Sequence, residues 1–377
     1  MLVRGSGSFV TAVDGETLLD LAMGFGSVFL GHAHPLVTAS VQEQAARLWN
    51  CSRLGVPGQA RVDALLSSLL PPGLQPTGLY STGMEAAEFA MRIAATHTGR
   101  DGFAGFAQSM HGKSAMTAAL CWPNAPLRPV TQHLLPFVAQ ASESEILAAL
   151  VRLLRTESIA ALFVEPIQGS NAAHQASDEF YRQAIAVCRA HGTLCVFDEI
   201  LTGLYRTGTP FFVDRLNETP DMLLFAKCMG NGFPVSSLAV AGHVQIRPGA
   251  LPGSTFSGNP LATAAVEGTL TAMGQLDMSK QVRSIEETVR STLGSLQDVG
   301  TTLRGSGALW CLELGERTRP EPVFASIREA GLLVTTAGRS IRLLPAATIE
   351  TKVLREACEQ IAARCNAAWE RSAGNRK

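Results

Sequence analysis

Short runs of almost uninterrupted apolar residues recur through the middle of the chain, at 102–107, 159–164, 194–197, 223–226 and 237–241, and longer amphipathic segments separate them. A strand without polar alternation cannot leave one face in water. It must be covered on both faces, as in a parallel sheet flanked by helices. Between these runs, 178–191 reads as a helix with Ser177 and Asp178 as candidate caps. Leu79-Tyr80-Ser81 leads into a helical pattern over 85–96. The pattern predicts an α/β large domain over 41–272, built on a mostly parallel sheet.

The ends of the chain follow another order. A helix is expected from Asn259-Pro260 to about 273, and a charged one over 279–298. A strand at 307–314, a helix near 321–330, strands near 332–335 and 340–344, and a helix near 349–368 come next. That order suits a smaller α+β unit over 273–377. The first 40 residues are too few for a core of their own and are expected to join it. The 17 residues 123–139 are rich in Pro and read as a loop, and the tail 371–377 is expected to fray.

Composition removes several classes of function. With 31 Lys+Arg against 32 Asp+Glu there is no global positive field for phosphates, which argues against a nucleic-acid partner. The eight cysteines form no CxxC pair and no zinc-type spacing, so no metal site is expected, and several sit in apolar runs as free thiols do. No apolar stretch reaches membrane-spanning length and no signal-type leader is visible, so a cytoplasmic protein without a membrane partner is expected. The charged fraction, 17%, is below the usual level of about 25% and hints at a subunit interface.

In α/β sheets ligands collect beyond the carboxyl ends of the strands, and four such places carry chemistry. Ser81-Thr82-Gly83-Met84-Glu85-Ala86 is either a phosphate-binding turn at a helix amino terminus or an ordinary cap. Asp198, straight after an apolar strand, is either a turn residue or a buried carboxylate in need of a metal, an Arg or a protonated ring nitrogen. Lys227 ends another apolar run before Gly230, Gly232 and Pro234. It is either a snorkelling lysine or a desolvated amine open to Schiff-base chemistry. The hydroxyl-rich loop 253–260 is a second phosphate contact or a cap. The order of turn, strand-end Asp and strand-end Lys is more specific than any of its parts.

At these residues the chain resembles the class III aminotransferases, pyridoxal-phosphate enzymes of fold type I. The resemblance runs from Val13-Asp14-Gly15 and Leu30-Gly31-His32-Ala33-His34-Pro35 through Ser81–Ala86, His111-Gly112 and Glu165-Pro166-Ile167-Gln168-Gly169. It continues in 198–208 (DEILTGLYRTG), Ala226-Lys227, 254–262 (STFSGNPLA) and Ile341-Arg342-Leu343-Leu344-Pro345. It implies a transaminase moving an amino group between an amino-acid or amine donor and a carbonyl acceptor by a ping-pong mechanism. Lys227 would attach pyridoxal 5'-phosphate as a Schiff base and later shuttle the proton. Asp198 would pair with the pyridine nitrogen, and Gly83 and Met84 would donate backbone N–H groups to the phosphate. Ile200 would pack on the ring, with Met110 and His111 beside it. Thr255 would reach the cofactor of the neighbouring subunit in a homodimer. Arg342 would bind a substrate carboxylate. Phe25 is a candidate pocket wall, with core packing as the other account of it.

The chain also departs from the family pattern. Met110 stands where the family usually has a ring-stacking aromatic, and Leu201 where a Gln often touches the cofactor's phenolic oxygen. Ser170 replaces the Glu with which many ω-aminotransferases cover the carboxylate-binding Arg. The chain is therefore not expected to be a typical dual-specificity ω-aminotransferase. It also starts almost at the family's first strand motif, from which a more open pocket mouth is expected. An aminomutase, racemase or decarboxylase of the same family remains an alternative. A cofactor-free scaffold is a further one, against which the joint presence of Lys227 and Asp198 speaks.

Overall fold

The chain begins with three antiparallel strands, β1 (Leu2–Ser6), β2 (Phe9–Ala12) and β3 (Thr17–Asp20), in a computed structural model that describes residues 1–51 and 54–374. The end of the tail, 375–377, lies outside the described residues; the final helix runs over Thr351–Gly374.

The large sheet is built from β4 (Leu74–Tyr80), β5 (Gly102–Phe106), β6 (Gln132–Leu135) and β7 (Ile159–Val164). A small hairpin, β8 (Ile167–Gln168) and β9 (His174–Gln175), precedes its remaining strands, β10 (Leu194–Asp198), β11 (Met222–Phe225) and β12 (Ser236–Ala241). The seven strands lie in the order β4-β12-β11-β10-β7-β5-β6. All run parallel except β12, which is antiparallel to both β4 and β11. Every residue of β5, β7, β10, β11 and β12 is buried, as the unbroken apolar runs require.

Helices cover both faces, and their starts are written in the sequence. Thr82, Ser142, Ser177 and Asn259 each accept a backbone N–H at the head of the helices Gly83–Thr98, Glu143–Thr156, Asp178–Ala190 and Pro260–Gly274. The alanines of Gly83–Thr98 bury against the sheet and let this helix sit close behind the site.

After the helix Met278–Leu293 the chain forms β13 (Thr302–Ser306), β14 (Leu309–Glu313), β15 (Leu332–Leu333), β16 (Thr335–Ala337) and β17 (Ser340–Leu343). Four of these make a sheet in the order β13-β14-β17-β16. The fifth, β15, pairs in parallel with β3, matching Leu332 to Leu19 and Leu333 to Asp20. The two chain ends thus share one sheet.

Two expectations need correction. The Pro-rich segment 123–139 is not all loop: 132–135 is β6, paired in parallel with β5 at the sheet edge. An edge strand is covered on fewer sides, so its sequence, QHLL, lacks the apolar signature of the inner strands. The single strand expected at 307–314 is half of a hairpin, because Gly307, at φ +61°, turns the chain between β13 and β14. The helix Pro35–Ala45 packs on Pro260–Gly274. All eight cysteines are free. Among the described residues no His/Cys/Asp/Glu group could hold a metal, and no helix is long and apolar enough to cross a membrane.

Candidate active site

The carboxyl ends of β4, β5, β7, β10 and β11 open on one edge of the sheet, and the antiparallel β12 begins at the same edge. A cavity of about 380 Å³ lies there, lined among others by Gly83, Met84, Met110, His111, Ile200 and Lys227. The structure therefore brings together residues that are far apart in sequence.

At one end of the cavity the helix Gly83–Thr98 presents its amino terminus. Thr82 Oγ1 accepts the Glu85 N–H at 3.2 Å, and the Glu85 carboxylate reaches back to the Ser81 N–H at 2.8 Å. The N–H groups of Gly83 and Met84, in the first turn, have no acceptor within the helix and suit an anion. A Cβ on Gly83 would stand 2.5 Å from Ile200 Cδ1, so glycine lets Ile200 lie across this end. Gly112, at φ +139°, is as tightly bounded: its Cβ would stand 2.5 Å from Thr117 Oγ1 and 2.8 Å from Met84 Cγ.

Asp198 closes β10 and is buried. Its Oδ1 accepts the Ile200 N–H at 3.1 Å, and its Oδ2 lies 2.7 Å from His111 Nδ1. His111 is itself buried, its ring tilted on Phe163, and its Nε2 has no hydrogen-bond partner. Lys227 follows β11 on the adjacent strand and opens the turn Lys227–Gly230 with φ +32°. A lysine held in that region is backbone strain of the kind found at functional sites. Burial lowers the Lys227 pKa below the usual amine value, and the Arg342 charge adds to this; Asp198 and Glu165 oppose it.

Glu165 is a site residue without an expected role. It follows β7 directly and is buried, with Oε2 accepting the Met110 N–H at 3.0 Å and Oε1 the Gly169 N–H at 3.1 Å. Burial, and then the nearby Asp198, push its pKa up to about 7 against His111, the Gly169 hydrogen bond and Lys227. The signal that singled out Asp198, a carboxylate straight after an all-apolar strand, was equally present here. Gln168 braces the same two segments, its Nε2 donating to Ala107 O at 3.1 Å and Ser109 Oγ at 2.9 Å.

On the other side, Arg342 projects from β17. Its Nη1 donates to Gly169 O at 2.7 Å and its Nε to Thr335 Oγ1 at 3.0 Å. No salt bridge to a carboxylate engages Arg342 among the described residues. Ser170 is exposed. Phe25 is 64% exposed, with the Arg342 guanidinium 5.8 Å from its ring centre, so it belongs to the site's mouth and not to the core. The residues Met23, Gly24 and Phe25 all have positive φ, and Asp20 holds this turn by accepting the N–H groups of Ala22 and Met23. Leu201 turns away to pack on Gly26 and Gly169; a Cβ on Gly169 would stand 2.1 Å from Leu201 Cδ2. Thr255 lies outside this cavity on an exposed loop, where its carbonyl accepts from Asn50 Nδ2 at 3.1 Å.

Beneath the mouth lies Arg206, fully buried, also unforeseen. Its Nη1 donates to Ala308 O and Pro345 O, its Nη2 to Gly26 O at 2.7 Å, and its guanidinium sits 3.9 Å over the Phe29 ring.

This donor set fits pyridoxal phosphate. A helix amino terminus faces one end of the cavity, a desolvated amine the middle, and an aspartate braced by His111 stands at an adjoining strand end, where a ring nitrogen needs a partner. Comparison with known proteins agrees. Residues 1–364 match the profile of the family described as Aminotransferase class-III. The chain is 33% identical to the [LysW]-aminoadipate semialdehyde transaminase of Deinococcus radiodurans, over 96% of the chain and 84% of that protein. It is 32% identical to the 5-aminovalerate aminotransferase DavT of Pseudomonas aeruginosa, over 92% of the chain and 88% of that protein. Among solved structures, ornithine aminotransferase from Toxoplasma gondii, which has partial occupancy of the cofactor at its active site, superposes with a TM-score of 0.89 at 27% identity. That match covers 99% of this chain and 92% of the other.

Proposed function

The chain belongs to the class-III aminotransferase family and is a pyridoxal-phosphate-dependent transaminase with the fold type I architecture, and from that premise we propose which of its residues carry the reaction. The observation that supports the assignment is that Lys227 and the amino terminus of Gly83–Thr98 line one cavity, with Asp198 bonded to a further lining residue, His111. When bound, pyridoxal phosphate supplies an aldehyde that condenses with amines and a protonated ring that withdraws electrons from the substrate carbon.

Lys227 Nζ would hold the cofactor between turnovers and, when free, would move the proton from the substrate carbon to the cofactor's aldehyde carbon. Its lowered pKa suits both tasks, because only the neutral amine is a nucleophile or a base. Asp198 would bond the ring nitrogen and keep it protonated, with His111 Nδ1 holding one carboxylate oxygen at 2.7 Å. The N–H groups of Gly83 and Met84 take the phosphate. Ile200 and Met110 enclose the ring, and Met110 does so with a softer, narrower surface than an aromatic side chain offers. Arg342 takes a substrate carboxylate beside Phe25. With Ser170 exposed and no carboxylate bridged to Arg342 among the described residues, the site stays set for carboxylate-bearing donors and acceptors in both half-reactions.

The active unit is a homodimer in which Thr255 meets the neighbouring subunit's cofactor. Supporting this, Trp49 and Phe256 are large exposed apolar side chains on the segments that the Asn50–Thr255 bond joins. The small domain is assembled from both chain ends, 1–40 and 273–377, around a cofactor domain over 41–272, and the protein works in the cytoplasm. The deciding experiment is visible absorbance. The protein reconstituted with pyridoxal phosphate is expected to be yellow, and Lys227→Ala to lose both the band and all transamination. A K227A variant that keeps the band would overturn the assignment.

A further inference from the structure

We propose that Glu165 is a positioning residue that couples the cofactor-facing wall at Met110 to the guanidinium of Arg342; this rests on the reading that Arg342 binds a substrate carboxylate. Three hydrogen bonds in series make the connection. The Met110 N–H donates to Glu165 Oε2 at 3.0 Å, the Gly169 N–H donates to Glu165 Oε1 at 3.1 Å, and Arg342 Nη1 donates to Gly169 O at 2.7 Å. Each end of the series faces a different part of the site: Met110 lines the cavity beside Lys227, and Arg342 stands at the mouth beside Phe25.

A carboxylate is needed at the centre because both neighbours are donors. Each oxygen takes one N–H, from two turns that no strand pairing joins directly. An amide in the same place offers one acceptor and would turn its NH2 toward the other N–H. Gln168 fixes the turn from the β5 side, and Leu201 fills the space beneath Gly169, so the peptide of Gly169 has little freedom except through Glu165. A shift at Glu165 therefore passes to the Gly169 carbonyl and so to the orientation of the guanidinium fork, on which bidentate carboxylate binding depends.

The test is Glu165→Gln in the full-length, cofactor-loaded protein, with paired acceptors: an oxo acid, and an aldehyde without a carboxylate. KM for the oxo acid is expected to rise about tenfold, the size of one charge-assisted hydrogen bond, with KM for the aldehyde nearly unchanged. In an Arg342→Lys background the same change should add little, because partners in one network are not additive. Titration of the apoprotein with pyridoxal phosphate should show weaker binding in E165Q, a readout independent of turnover. Glu165→Asp, which keeps the charge and shortens the reach, supplies the same comparison if E165Q does not fold. Equal KM changes for both acceptors, or full additivity with R342K, would overturn the coupling. If R342K itself raises KM for both acceptors alike, the role of Arg342 fails instead. If the parent protein takes up no cofactor, the Lys227 assignment fails.

Discussion

Glu165 and Lys227 lie within electrostatic reach of each other, each with its ordinary charge disfavoured by burial, and this leaves a mark on stability. A glutamate whose folded pKa is raised from 4.5 to about 7 binds its proton more tightly in the native state. Its contribution is complete below pH 4.5, falls as pH rises toward 7, and is flat above, by up to about 3 kcal/mol. The half-buried His34 and His174, with Lys227, pull the total the other way, because their lowered pKa values favour the folded state as pH rises. The difference in unfolding free energy between the parent apoprotein and E165Q isolates the glutamate: it should decline between pH 5 and 7 in urea titrations, and a level difference would refute the raised pKa. A second residue-scale prediction concerns Gly83. A methyl there meets Ile200, so Gly83→Ala should weaken pyridoxal phosphate binding about tenfold at nearly unchanged Tm, measured by titrating the apoprotein. Asp198 and Lys227 were readable in the sequence because each interrupts an apolar run at a strand's carboxyl end. Glu165 carries the same mark, but its partners, the N–H groups of Met110 and Gly169, are backbone atoms that no side-chain motif announces.

Elements of the chain meet at Arg206, which no spacing rule reveals. It ties the mouth turn at Gly26, the β13–β14 hairpin at Ala308 and the segment after β17 at Pro345. No carboxylate pairs with it among the described residues, and burial lowers its pKa while three carbonyls and the Phe29 ring hold the charge. A lysine cannot reach all three, so Arg206→Lys should cost about 2–4 kcal/mol in urea unfolding by leaving buried carbonyls unpaired. A loss within about 0.5 kcal/mol, the range of an ordinary surface change, would show that the clamp carries no weight. Inner strands were legible for the reason that edge elements were not. Burial on both faces forces an apolar run on β7, β10 and β11, while β6 at the rim and β13 beside its hairpin turn obey weaker constraints.

For the whole molecule, the proposed exchange of Thr255 between subunits can be tested by mixing two impaired proteins. A K227A subunit offers a sound Thr255, and a Thr255→Ala subunit a sound Lys227. Refolded together, they should recover roughly a quarter of parental sites, because half of randomly paired dimers contain one intact combination. No recovery above the sum of the separate proteins would argue for sites complete within one chain. The joining of β3 to β15 was not legible in the sequence, since a two-residue parallel strand has too little sequence to be noticed. That pairing has a consequence for biosynthesis. The strand that anchors Leu19 and Asp20, and through Asp20 the turn bearing Phe25, leaves the ribosome long after the cavity's own residues, which end at Val235. Domains can fold as they emerge, whereas a pairing between distant ends must wait for its last partner. On the nascent chain one subunit's own share of the cofactor's seat would thus be complete in sequence while its doorway still lacks the strand that frames it.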